Sequence, residues 1–141
     1  MSALEGRRCE AQSVSAAVPE WARTRDDIDG VVLVGSYARG AERFDSDLDI
    51  VVLASDVGRL LTDDGWLATL TPGATEIRRQ TWGPVTERRM LLPSGLPVEF
   101  GATTAEWAAL PLDAGTARVL GDGACLLYDP YGVVTSALVV L

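Results

Sequence analysis

The chain has no lysine, no histidine and only two cysteines in 141 residues. Without histidine there is no Ser-His-Asp triad, no Cys-His dyad and no His-ligated zinc. General-base chemistry then falls to carboxylates or water. Cys9 and Cys125 are far apart and form no CxxC pair. Both read as free thiols in a reducing, cytoplasmic setting, with a disulfide as the lesser alternative. All 12 basic residues are arginines, set against 20 Asp and Glu, for a formal charge of −8. That balance argues against tight binding to long nucleic acid, which needs many basic contacts to phosphate. A nucleotide is not excluded, because metal and backbone amides can hold its phosphates. The N-terminal residues have no apolar signal-peptide core. The apolar tail Val133–Leu141 falls short of the about 20 residues a membrane span needs. It reads as core or as a surface that meets a partner.

Hydrophobic residues make up 48% and charged residues 23% of the chain, as in ordinary globular proteins. The length suits one domain, 1–141, and residues 1–9 read as unstructured. Val14, Ala17, Val18 and Trp21 follow helical spacing, although Pro19 should kink that helix or open a new turn. Short apolar runs at Val31–Val34 and Ile50–Leu53 read as buried strands. Asp56 can cap a short helix through Leu61, and Trp66, Leu67 and Leu70 suggest another apolar turn. Glu76–Trp82 and Val85–Leu92, split by Gly83-Pro84, read as a β-hairpin. Its arginines Arg78, Arg79, Arg88 and Arg89 suggest a solvated face paired with glutamates, or else a positive rim around a nucleotide. Leu96–Thr103 is a further strand, Thr103 or Thr104 can cap a helix containing Trp107, and Ala124–Tyr128 is a last strand before a terminal helix. Gly121-Asp122-Gly123 reads as a turn. Trp66, Trp82 and Trp107 read as core.

The chemistry concentrates in Val31–Leu53. Side chains alternate along a strand, so Asp47 and Asp49 share a face while Leu48 and Ile50 take the other. Two neighbouring carboxylates repel when ionised, and a hard divalent cation such as Mg²⁺ or Mn²⁺ relieves the repulsion. On this reading Asp47→Asn should be neutral or stabilising without metal. Gly35-Ser36 ends the first strand, and Ala38–Ala41 should begin a short helix. Amides at such a turn, with the Ser36 hydroxyl, can hold phosphate oxygens. Arg39 can touch phosphate or anchor the loop. Tyr37 is read as packing and Asp45 as a solvated loop acid. A phosphate cradle followed by metal ligands describes phosphoryl or nucleotidyl transfer.

Gly35-Ser36, ten residues, then Asp47-Leu48-Asp49 resembles the signature of the polymerase-beta-like nucleotidyltransferase superfamily. Gly-Ser-Tyr-Ala-Arg-Gly at 35–40 and Ser-Asp-Leu-Asp at 46–49 are most similar to the minimal nucleotidyltransferases. The resemblance implies an α+β fold, a small mixed β-sheet with helices packed against it. It also implies two metal-binding aspartates on one strand and a third carboxylate on a later one. Glu99 is the choice for the third, since Val98 and Phe100 point one way and Glu99 the other. Glu76 and Glu87 lie beside arginines that can neutralise them.

The expectation is thus a metal-dependent nucleotidyltransferase. It would move a nucleoside monophosphate from a nucleoside triphosphate, ATP foremost, to an acceptor hydroxyl. Asp47, Asp49 and Glu99 would hold metal, and Gly35, Ser36 and Arg39 the nucleotide. A carboxylate or a metal-held hydroxide would take the acceptor's proton. The acceptor is a small molecule or a partner protein, and an assembly with itself or a partner is left open. The contrasting expectations are a catalytically silent binding module of the same fold and an antitoxin-like partner of a helical toxin.

Overall fold

A computed structural model describes residues 2–141. The first helix, α1, runs over Ala3–Arg23, so residues 3–9, read above as unstructured, are helical; Met1 lies outside the described residues. The reason lies in the sequence. Ser2 is the N-cap, its Oγ accepting from the Glu5 amide at 3.1 Å and donating to the Glu5 carboxylate at 3.1 Å. The Ser-x-x-Glu spacing is that of a capping box, with the Glu5 carboxylate on the Ser2 hydroxyl instead of its amide. Ala11, Val14, Val18 and Trp21 then make a buried stripe. Pro19 neither ends the helix nor opens a new one. Burial of Val18, Trp21 and Ala22 on both sides of it offsets the lost backbone hydrogen bond, which costs about 3 kcal/mol.

Six strands follow: β1 Ile28–Val34, β2 Leu48–Ala54, β3 Thr75–Trp82, β4 Val85–Leu91, β5 Pro97–Thr103 and β6 Ala124–Tyr128. They form one mixed sheet in the order β3-β4-β5-β2-β1-β6. The β2–β5 pair is parallel and all the others are antiparallel. The α+β architecture with a small mixed sheet is as the sequence implied. Helices α2 (Val57–Thr62) and α3 (Gly65–Leu70) join α1 on one face. There Val31, Leu33, Leu48, Ile50, Val52, Val98 and Phe100 meet Trp66, which stacks on Trp21 at 5.4 Å and meets Phe100 edge-on at 5.1 Å. The other face packs Val32, Val34, Val51 and Leu53 against a 3₁₀ turn at Ala105–Ala108, α4 (Ala114–Gly121) and α5 (Val133–Val139). These elements cover β1 and β2 but leave the β4–β5 part of that face open.

The sequence reading did not anticipate α4, whose cap is Asp113, accepting from the Gly115 amide at 2.9 Å. Gly121-Asp122-Gly123 is the end of this helix rather than a free-standing turn. Ala38–Ala41 does not start a helix. Arg39 N–H reaches the Gly35 carbonyl and Ala41 N–H the Ser36 carbonyl, but the chain then leaves at Gly40 with φ +68°. Both cysteines are exposed and unpaired. Among the described residues no helix is long and apolar enough to cross a membrane.

The hairpin arginines are not one solvated face. Arg79 is the expected exposed pair of Glu76, but Arg88 is only 1% exposed. Its Nε and Nη2 hold Glu76 at 3.1 and 2.7 Å, and its Nη1 donates to the Leu60 and Asp63 carbonyls at 2.8 and 3.0 Å. Its Nη2 also meets the Asp64 carboxylate. All its donors are thus satisfied, tying β4 to the α2–α3 connection. These bonds hold the Glu76 carboxyl down to about 2. Removing Arg88 leaves the Leu60 and Asp63 carbonyls without their donor, which costs about 1–3 kcal/mol for each such buried group. Arg88→Met should therefore cost at least about 2 kcal/mol in urea unfolding, against less than about 1 kcal/mol for the exposed Arg79→Ala. Equal costs for the two would refute the structural role of Arg88.

Candidate functional site

The parallel pairing of β2 with β5 sets Asp49 opposite Glu99 in register. Asp47 comes one step before β2, on the same alternation. One carboxylate oxygen from each of Asp47, Asp49 and Glu99 lies within 4.8 Å of the other two. The three residues chosen from sequence are thus brought together, and an all-oxygen set of this kind fits a hard divalent cation. Gly35, at the end of the adjacent β1, is pressed against them. Its φ is +79°, and a Cβ there would stand 2.7 Å from the Asp49 Oδ2. Glycine is required both by the backbone and by the space.

A cation of the protein's own already meets this cluster. Arg89, paired with Glu99 across β4 and β5, donates from Nη1 and Nη2 to the two Asp47 oxygens at 2.7 and 3.0 Å. Its Nη1 also donates to Glu99 Oε1, which accepts from Arg78 at 2.9 Å as well. Those charge-assisted bonds raise the Arg89 pKa, Asp47 being the first cause. Asp49 has no such partner. Burial, then the charges of Glu99 and Asp47, push its carboxyl from 3.8 up to about 7. The repulsion expected at Asp47 from sequence is therefore concentrated at Asp49. Replacing Asp47 removes an ion pair rather than a strain.

Glu87 was read as neutralised by its neighbours in sequence. Its carboxyl instead forms no ion pair within salt-bridge distance among the described residues, and burial, then Glu99, pushes it from 4.5 up to about 7. The period-2 alternation of β4 carries the explanation. Glu87 and Arg89 share the face of Glu99, whereas Arg88 between them faces α2 and α3. That alternation was the signal in the sequence that could have marked Glu87.

The open part of the sheet forms a cavity of about 830 Å³. Asp49, Glu87 and Glu99 line it, with Gly35 and Arg39 at one side. Asp47 and Ser36 are not in its lining; the Ser36 carbonyl accepts from Ala41. Arg39 Nη1 reaches the Asp122 carbonyl at 3.4 Å, the anchoring alternative. Two tryptophans expected in the core, Trp82 and Trp107, line the cavity instead, Trp82 being 56% exposed at the hairpin tip. Only Trp66 is core. Glu106 and Asp113, together with Asp122, which the sequence marked only as part of a turn, extend the acidic lining. Tyr37 packs against the main core, and Asp45 is exposed in the loop.

Residues 18–83 match the family described as Nucleotidyltransferase domain. In structure the chain is similar to an aminoglycoside 6-adenyltransferase from Bacillus subtilis, with a TM-score of 0.49 and 16% identity over 70% of this chain and 36% of that one. The chain thus spans about a third of that protein's length. No curated protein matches it in sequence.

Asp49 holds its proton more tightly folded than unfolded. Its contribution to stability is complete below about 4 and is lost as pH rises towards about 7. The loss reaches about 4 kcal/mol for this group alone. Denaturant unfolding in chelator should show wild type weakening across that window. Asp49→Asn should give a flatter profile and a more stable protein at the upper end. Parallel profiles for the two proteins would contradict this account of Asp49.

Proposed function

We propose, from a chain whose residues 18–83 belong to the polymerase-beta-like nucleotidyltransferase superfamily, that it transfers a nucleoside monophosphate from ATP to the hydroxyl of a small, positively charged acceptor. The observation that carries this reading is the convergence of Asp47, Asp49 and Glu99 beside the Gly35 turn. Mg²⁺ or Mn²⁺ held by these three carboxylates would neutralise the triphosphate and polarise the phosphorus that reacts. Gly35 would let the chain approach the phosphates without a side chain in the way; the amides of Ala38–Ala41 are spent on carbonyls within the turn. The acceptor oxygen forms a bond to the α-phosphorus, the bond to the β-phosphate oxygen breaks, and pyrophosphate leaves with the electron pair.

The acceptor's proton needs a base. Glu87, which lines the cavity on the same sheet face as Glu99, has no arginine bond and has its carboxyl pushed up to about 7, would accept that proton. The acceptor class follows from the lining. Glu87, Glu106, Asp113 and Asp122 line the cavity, and exposed Trp82 adds an aromatic face. Carboxylates and an indole ring favour an organic cation over an anion.

Pyrophosphate release with ATP and Mg²⁺ should therefore appear with amino-alcohol acceptors and not with neutral polyols. Asp47→Ala and Asp49→Ala should each lower kcat at least about 10²-fold. Glu87→Gln should lower kcat by about 10² with ATP affinity kept. Binding of ATP without turnover on any acceptor would make the chain a silent module of this fold instead.

A further inference from the structure

Arg89 stands where the proposed function needs a cation. It engages both oxygens of Asp47 and one oxygen of Glu99, two of the three side chains whose oxygens converge. The guanidinium is largely buried, its side chain 19% exposed. At such a site two cations a few ångströms apart repel strongly, because solvent screens them little. Arg89 and a divalent ion therefore compete for the same oxygens. A released Arg89 still points into the sheet face that holds Gly35 and Glu99, and its planar fork matches phosphate oxygens as well as carboxylate.

We infer that Arg89 is a positioning residue that couples the cation to the nucleotide. Without nucleotide it holds Asp47 and Glu99 and keeps divalent cations out. With a nucleoside triphosphate present it transfers its bonds to the phosphates and frees the carboxylates. Coupling of this kind is reciprocal, so the cation favours the nucleotide by the same factor. Its consequence is that the protein alone takes up divalent cations weakly and does not hold a resident metal. Arg78 shares only Glu99 and is half exposed, so it contributes less. This inference rests on the nucleotidyltransferase reading above.

The test is Mn²⁺ binding to the protein, read from the electron paramagnetic resonance of the free ion, with and without α,β-methylene ATP, after subtracting the Mn²⁺ that the analogue binds in protein-free solution. Wild type should bind Mn²⁺ at least about tenfold more tightly with the analogue, the factor expected if Arg89 holds the carboxylates nine-tenths of the time. Arg89→Gln should bind Mn²⁺ about tenfold more tightly than wild type without nucleotide, and should lose most of the analogue's effect. Arg79→Ala removes a charge from the same hairpin on the opposite face and should change neither. Arg89→Lys, which keeps the charge without the fork, should fall between. Equal Mn²⁺ affinity of wild type with and without the analogue overturns the inference, whatever the variants do. So does tight binding with the analogue in wild type but no gain in Arg89→Gln beyond Arg79→Ala; the nucleotidyltransferase reading then stands. No Mn²⁺ binding to any of the proteins, with or without the analogue, overturns both.

Discussion

Everything at this site depends on one pairing, the parallel alignment of β2 with β5. Parallel neighbours need a long connection, and here it contains α2, α3 and the β3–β4 hairpin. The alignment places Asp49 and Glu99 side by side on one face. It leaves Leu48, Ile50, Val98 and Phe100 on the opposite face to fill the main core. The energetic cost of gathering carboxylates is thus borne by a sheet whose other side is among the most buried parts of the molecule. The two faces cannot be adjusted separately. A core that fixes Phe100 fixes Glu99.

The hairpin completes the arrangement with alternation alone. Three consecutive charged residues have three environments. Glu87 lines the cavity without an arginine, Arg88 is buried against α2 and α3 with every donor used, and Arg89 spans two carboxylates. Helices cover the β1–β2 half of the site face and stop short of β4 and β5, and that incomplete cover makes the cavity. A sheet fully covered on both faces would have the same acids and no room for a ligand.

Much of this was legible in the sequence. The strands, the hairpin and the shared face of Asp47 and Asp49 follow from short apolar runs, Gly-Pro punctuation and alternation, all of which act over a few residues; that a third carboxylate should join them came from the family resemblance, and alternation within Leu96–Thr103 then pointed to Glu99. What was not legible depended on distance in the fold. The start of α1 is itself written locally, in Ser2 and Glu5. Glu87, by contrast, sits between residues that looked like its partners, and only the β4–β5 register shows that Arg88 faces away. Trp82 and Trp107 have core-like chemistry, but one lies at a hairpin tip and the other on a 3₁₀ turn at the rim of the open face. The helix expected at Ala38 fails because Gly40 takes a left-handed conformation after a single turn.

The alternation at Glu87, Arg88 and Arg89 also limits how this chain can change over time. Side chains on a strand repeat every two residues, so a shift of one position exchanges the faces. A single inserted or deleted residue in β4 would turn Arg88 towards the acids and bury Arg89 and Glu87 against apolar helices. The loop between Gly40 and Asp47 has no such parity, being exposed and without regular pairing. Descendants of this sequence can therefore lengthen or shorten near the motif that first draws the eye. The less conspicuous hairpin strand accepts no change in length.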